Sequence, residues 1–444
     1  MTTPPSKKIP VTIIMLGLVS LFTDAATEMI YPLVPLYVAA LGAGAVLLGV
    51  IEGVAETTAS LLKLYSGILS DRIGKRKLLV LIGYSISTVA RPFTGAVSSA
   101  WEIVIVRMFD RIGKGIRSAP RDALIASSVD ASIRGKAYGF HRAMDHAGAV
   151  VGPLLAITAL LLVINVFRVE NSLSALRWTF ILSIVPGMFA VATIIFFVKE
   201  AAPAATKTVR IRFSLRDYDA NFKRYLMVLV VFSLGNSSDA FLLYRVDEAI
   251  RQSGALAGIL NRIGPIHEML TRFGSAENQS MLITLMFLPL VWSFFHCFKV
   301  IFATPFGALS DRIGRKATIS IGWAIYAAVY FCFALLIFIP VEWQIPATLL
   351  LFAIYALYYA FTEGAEKALV ADMVDEGKRG GAFGMYNFTI GITALPASVL
   401  FGAIYSFFNV KLPGFGGTVA FACGGTLALV AMVLLSAKVR EVHR

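Results

Sequence analysis

Gly67-Ile68-Leu69-Ser70-Asp71-Arg72-Ile73-Gly74-Lys75-Arg76-Lys77 returns 240 positions on as Gly307-Ala308-Leu309-Ser310-Asp311-Arg312-Ile313-Gly314-Arg315-Lys316. Each copy is a short charged turn between two long apolar runs. A match in matching surroundings at a large fixed offset is an internal repeat, so the chain divides into two related halves.

The runs flanking the turns set the class. Of 444 residues, 57% are hydrophobic and only 15% charged, whereas soluble domains carry about 25% charge. Apolar runs of about 20 residues are long enough to cross a bilayer. Such runs occupy 11–40, 46–69, 78–98, 101–128, 137–165 and 177–198, then 225–245, 281–309, 318–340, 345–373, 381–408 and 417–437. Hydrocarbon forces each backbone group to bond within its own segment, so the spans are expected as helices. The pattern predicts an all-α integral membrane protein with twelve transmembrane helices in two pseudo-symmetric six-helix bundles. The halves are 1–198 and 225–444, joined by a polar link at 199–224.

The net charge of +13 follows the membrane rather than nucleic acid. With the amino terminus inside, most Lys and Arg fall in inside loops and in the link, a bias that sets orientation. Both termini are then cytoplasmic, in the cell inner (plasma) membrane. Outside loops keep a few, Arg245 and Arg251 among them. Cys297, Cys332 and Cys423 show no ligand spacing and read as small buried hydrophobes. Lys7-Lys8 before an apolar run imitates a secretion signal, but the run continues past residue 30, as an uncleaved first span does.

Several spans carry charge they need a reason to carry. Asp24 and Glu28 lie one helical turn apart in the first, and the sequence places no Lys or Arg within a turn of either. An acid at the membrane centre costs about 2.5–3.5 kcal/mol. These acids either tie helices together or face a wet cavity, where they handle protons, cations or solute. Asn236-Ser237-Ser238-Asp239 is the counterpart in the seventh span. Glu52 and Glu56, near the outer end of the second, suit an outer gate or a structural role.

The fourth span is the least membrane-like. At about 100° per residue, Arg107, Arg111, Lys114, Arg117 and Arg121 fall within an arc of about 120°. Five cations cannot face lipid. The stripe is either ion-paired with Asp110, Asp122, Asp145, Glu363 and Glu366 or open to an anionic solute. Residues 123–139 and 368–384 match at an offset of 245, and just before that match Arg121-Asp122 aligns with Glu366-Lys367, with Glu363 one turn earlier. Span ten is thus the acidic counterpart of basic span four. The fifth span opens with His141, Arg142, Asp145 and His146, pairing His141 with Asp145 at i,i+4. Metal binding by His141, Asp145 and His146 is opposed by the charge of Arg142, and no metal site is assigned. An amphipathic insertion follows span seven at about 246–280, with Pro265 kinking or dividing it.

The duplicated turn fits G-x-L-x-D-R-x-G-R-K, and the chain resembles the major facilitator superfamily of membrane transporters. Gly139, Gly148 and Gly152-Pro153 resemble motif C of its antiporters, with Ala156-Ile157 where those have two glycines. Arg107 or Arg111 with Gly113 and Gly115 loosely resembles motif B, and the added charges depart from it. The resemblance implies alternating access about a central cavity. It also implies an inside gate at Gly67, Asp71, Arg72, Gly74, Arg76 and Asp130, repeated as Gly307, Asp311, Arg312, Gly314, Arg315 and Asp375. Here Lys75-Arg76 and Arg315-Lys316 are placed to meet Asp130 and Asp375.

The chemistry assigns Arg111, Lys114, Arg117, Arg121, Arg142, Asn236, Asp239, Glu363, Glu366 and Lys367 to a substrate cavity. Proton coupling is assigned to Asp24, Glu28, Asp122, His141 and Asp145. An anion competing for Arg142 would trade places with the Asp145 carboxylate, with proton binding favouring solute release. The expected function is secondary active transport, the proton-coupled export of a small anionic or zwitterionic solute. The expected partners are that solute, protons and the lipid bilayer, with no nucleic acid and no cofactor, for a monomeric chain. One alternative is uptake of a metal ion or chelate on Asp24, Glu28 and Asp239. Another is a non-transporting receptor on the same fold, for which a link of about 25 residues is short. No HExxH, GxSxG or Walker sequence argues for an enzyme.

If Asp71 latches the inside gate, Asp71→Asn weakens the outward-open state by about 1–3 kcal/mol, the worth of a charged hydrogen bond. Cysteines placed at that gate should then label faster in the variant than in the wild type, and equal rates refute the latch.

Overall fold

A computed structural model describes residues 9–73, 75–129, 134–200, 215, 218–253, 255–374 and 379–441. Among them the regular elements are helices. The first span is broken: α1 (Val11–Ile30) passes through one 3-10 turn at Tyr31–Leu33 into α2 (Val34–Ala40). Pro32 lacks the N–H that an unbroken helix needs there. The next four spans are α3 (Ala45–Ile73), α4 (Arg76–Ala90), α5 (Ala100–Ser127) and α6 (Arg134–Asn165). The sixth is split into α7 (Ser172–Leu182) and α8 (Ile184–Phe197).

The seventh span is broken like the first, into α9 (Ala220–Gly235) and α10 (Ala240–Ser253), with Asn236–Asp239 unwound between them. Two short helices, α11 (Ala255–Leu260) and α12 (Gly264–Thr271), precede α13 (Ala276–Ile313). The last four are α14 (Arg315–Leu335), α15 (Val341–Asp372), α16 (Arg379–Lys411) and α17 (Gly416–Lys438). Eleven helical stretches among the described residues are long and apolar enough to span a membrane. The twelfth span, α5, has the length, at 28 residues, and misses on composition because of its charges.

Contacts divide the chain into two compact units. The first is Met1–Tyr31, Thr58–Arg168 and Ala175–Arg210; the second is Pro32–Thr57, Val169–Ser174 and Ile211–Arg444. In the first unit α1 lies closely along α6, and glycines set the distance. A Cβ on Gly148 would stand 2.5 Å from the Leu21 carbonyl oxygen, and one on Gly152 would stand 2.5 Å from that of Ala25. The same two glycines face the Cβ atoms of Asp24 and Glu28. Small residues that let backbones approach are how membrane helices associate without a hydrophobic drive. The glycine spacing read as an antiporter signature is therefore, in this fold, the surface on which the two acids of α1 rest.

In the second unit, the Pro32–Thr57 piece packs on α16. Gly49 faces Ser398, Gly53 faces Leu395, and the Thr57 hydroxyl donates to the Gly391 carbonyl at 2.7 Å. Around α14 and α15 the core is aromatic, with Phe232 stacked on Trp323 at 4.2 Å and Tyr326 on Tyr330 at 4.1 Å. Pro265 divides the inserted segment by starting α12, whose Met269 and Leu270 are buried. Helix α10 runs on to Ser253, so Arg245 and Arg251, expected in a loop, are helical. Arg245 is buried and donates to Glu248 at 2.8 Å. Cys332 and Cys423 are exposed rather than buried, because each lies on the outward face of its span.

Gly152→Val should cost about 1–3 kcal/mol by overpacking against α1. Gly139→Ala, whose Cβ would meet nothing within 4 Å, should leave the melting temperature unchanged. Equal melting temperatures for the two variants would contradict the close approach of α1 and α6.

Candidate functional site

Burying guanidinium groups in a membrane span demands partners, and the first unit supplies them from α4 as well as α5. Arg107, Arg111 and Arg117 are all buried, with Lys114 and Arg121 half-buried. The carboxylate at their centre, Asp110, is bonded instead to Arg91 of the turn after α4, Nε to Oδ1 at 3.0 Å. Arg117 donates to the Ser87 hydroxyl at 2.6 Å and lies over the Tyr84 ring at 4.4 Å. Ser87 in turn donates to the Asp110 carbonyl at 2.8 Å, which joins the two bonds into one network. Gly83 and Gly113 let α4 and α5 come close enough for this, since a Cβ on either would collide with the other helix. Arg107 lies over Tyr31 at 5.7 Å. At the other end of the stripe, Arg121 pairs with its neighbour Asp122, whose side chain is half exposed.

A second cluster in the same unit joins α1 to α6. The Ser20 hydroxyl donates to Asp145, which also has His141 Nδ1 at 3.6 Å and Arg142 at 3.5 Å. His141 is buried and its Nε2 has no hydrogen-bond partner, whereas Arg142 is largely exposed. Asp24 lies one turn beyond Ser20 on α1, with its Cβ against Gly148 of α6. Glu28 is half-buried one turn further along α1.

The second unit has a different chemistry at the matching helices. The unwound Asn236–Asp239 stretch meets α15, where Tyr355 and Tyr359 each donate to Asp239 at 2.7 Å. Asn236 donates to the Tyr358 hydroxyl at 3.2 Å. Glu366, 6% exposed, accepts from Trp323 Nε1 at 3.1 Å and from the Tyr386 hydroxyl at 2.7 Å. Glu363 lies 3.9 Å from Lys299 of α13. Lys367 is exposed. Within their own unit Glu366 is thus held by neutral donors, and Glu363 lies near a lysine of α13.

At the repeated turns, Asp71, Arg72, Asp311 and Arg312 fall in α3 and α13, and Gly67 and Gly307 with them. Gly74, Asp130 and Asp375 lie outside the described residues. Gly314 adopts φ +94°, a value that favours glycine. Arg315 pairs with Asp372 at 3.6 Å. Two acids that the sequence reading passed over cap the helices that follow these turns. Glu200 accepts from the backbone N–H groups of Arg76 and Lys77 at 3.2 and 3.0 Å, and Glu441 from that of Lys316 at 3.2 Å. Carboxylates at helix N-termini answer the orphan N–H groups and the dipole. Arg76 itself donates to the Ala123 carbonyl at 3.3 Å.

Broken first and seventh spans, repeated charged turns, glycine-packed helices and charged interiors meet a family model for the Major Facilitator Superfamily over residues 16–259 and 252–444. The chain belongs to that superfamily. An uncharacterized MFS-type transporter of Methanocaldococcus jannaschii is 29% identical over 421 residues, 95% of this chain and 93% of the relative. Multidrug resistance protein MdtH of Cronobacter sakazakii is 25% identical over 128 residues, 29% of this chain and 32% of the relative. Among solved structures, a D-xylose-proton symporter superposes with TM-score 0.69 at 17% identity, covering 97% of this chain and 98% of that one. A nucleoside transporter, NupG, gives 0.67 at 14% identity, over 96% and 98%. This major facilitator protein is a multi-pass membrane transporter and not an enzyme. Among its described residues no group of three or more His, Cys, Asp or Glu is placed to hold a metal ion.

Sequence reasoning missed Arg91, Ser87, Tyr84, Tyr355 and Tyr359 as site residues. Arg91 was legible as a cation in an apolar run, and Tyr355, Tyr358 and Tyr359 as one helical face. Arg91→Gln strips the bonded partner from a buried carboxylate and should cost about 3–5 kcal/mol. Arg117→Gln removes a guanidinium bonded to a hydroxyl and should cost about 1–3 kcal/mol. Thermal melts of the purified variants check the order, and a larger loss at Arg117 would reverse the assignment.

Proposed function

We propose that the protein exports a small zwitterionic or anionic solute in exchange for protons, by alternating access. The observation that carries this reading is the pair of carboxylates in the second unit, Asp239 and Glu366, whose hydrogen bonds come from Tyr355, Tyr359, Trp323 and Tyr386. Neutral donors steady a carboxylate without cancelling its charge, which leaves it able to take a proton or a cation.

The sign of the coupling follows from competition. A proton and a solute ammonium compete for the same carboxylate, so each expels the other, and that is exchange. A proton and a solute carboxylate do not compete at Arg117 or Arg142. Protonating Asp145 frees the Arg142 guanidinium for the anion, so the two bind together. The trade expected from the sequence at Arg142 therefore has the opposite sign to the one exchange needs. Export against protons accordingly favours the zwitterion within the anionic-or-zwitterionic class, with its ammonium end acting on the acids of span ten. The buried guanidinium groups of α5 suit its anionic end. The partial likeness to a multidrug resistance protein is consistent with export.

Proteoliposomes test this. With a panel of labelled amino acids and phosphate esters inside, an inward proton gradient should drive one class out uphill. Glu366→Gln should retain solute exchange and lose the accumulation. Transport by the wild type that is indifferent to the gradient would sink the proposal.

A further inference from the structure

Lys299 stands beside the Asp239 cluster and occupies a distinctive place. Its ammonium sits 3.9 Å above the centre of the Tyr359 ring and 3.9 Å from Glu363 Oε2. The hydroxyl of that same ring donates to Asp239 at 2.7 Å, and Tyr355 closes on it edge-to-face at 5.5 Å. Phe295 stands against Tyr359 at 5.9 Å in the same manner. An aromatic face flanked by carboxylates is the chemistry that recognises an organic ammonium, which gains from the ring quadrupole and from the acids at once. Lys299 is only 15% exposed, while Glu363 is 38% exposed. The ammonium is thus seated inward, with the more open side of the site lined by an acid.

We infer that this is a binding site for the ammonium group of an amine-bearing solute, and that Lys299 occupies it as a tethered stand-in until the solute displaces it. This rests on the reading of a solute with an ammonium end, and it names the residues that take that end. Glu363 and Asp239 supply charge, and Tyr359 supplies the face. Lys299 offsets the charge of Glu363 when no solute is bound. A buried charge left without its partner is costly, so the site is held filled at every stage. Self-occupation has a measurable consequence: apparent affinity for any external ammonium is lowered by the fraction of time the lysine is away.

Purified protein in detergent provides the test, with tetramethylammonium as the probe. Lys299→Ala should bind it roughly tenfold more tightly than the wild type, as expected if the lysine fills the site about nine-tenths of the time. Adding Tyr359→Leu should remove that gain. In the wild type, the same probe should quicken reductive methylation of Lys299, read by mass spectrometry, because displacement exposes the amine. Binding by Lys299→Ala no tighter than the wild type overturns the inference. If Lys299→Ala fails to fold, the labelling rate decides alone, and a rate unchanged by the probe overturns it equally. Neither readout uses a proton gradient, so failure here is separate from failure of the export reading.

Discussion

A charge inside hydrocarbon must be answered by the protein, and much of this structure is organised by that requirement. Helix α5 carries cations that no lipid-facing helix tolerates, and part of the answer comes from its neighbour α4 and the turn after it. Arg91 takes Asp110, Ser87 takes Arg117, and Tyr84 offers its face. These bonds need α4 and α5 in close approach, which is why Gly83 and Gly113 stand where they do. The polar network and the helix packing are one constraint seen from two sides. Several kcal/mol ride on each buried ion that loses its partner.

The halves share a plan and differ in chemistry. Both begin with a broken span, at Tyr31–Leu33 and at Asn236–Asp239. Both use a glutamate beyond the last helix to cap the helix after the charged turn, Glu200 in one and Glu441 in the other. Between these shared supports the interiors have diverged. At the matching spans, α5 buries Arg107, Arg111 and Arg117, whereas α15 buries Glu366 against Trp323 and Tyr386. Duplication supplied two equivalent scaffolds, and the matching positions on spans four and ten were then free to take opposite charge.

The side chains proposed to handle protons sit where helix packing is closest. Asp24 and Glu28 rest on Gly148 and Gly152, where any side chain on α6 would push α1 away. Asp145 is reached from α1 by Ser20 and from its own helix by His141 and Arg142. A slight shift of α1 along this glycine-packed contact would exchange the Ser20 bond to Asp145 for another partner. That suits elements that must change their surroundings during transport, since packed interfaces move between discrete arrangements rather than deforming continuously.

The sequence by itself determined the class, the repeat, the number of spans and the unusual character of α5. Those features are written in periodicity, composition and duplicated motifs, which depend on neighbours along the chain. It also marked many of the acids and bases within the spans, though not Arg91, since an ionisable residue in an apolar run stands out without any structure. The pairing of those groups was decided only in three dimensions. Asp110 is bonded to Arg91, 19 residues away and on the neighbouring span. Glu366 went to Trp323 and Tyr386, and Asp239 to two tyrosines of α15. The spans are long helices, so residues adjacent in space are separated by whole membrane crossings in sequence. Which faces meet depends on glycine contacts such as Gly148 with α1, a matter of atoms a few ångströms apart that no spacing rule along one helix encodes.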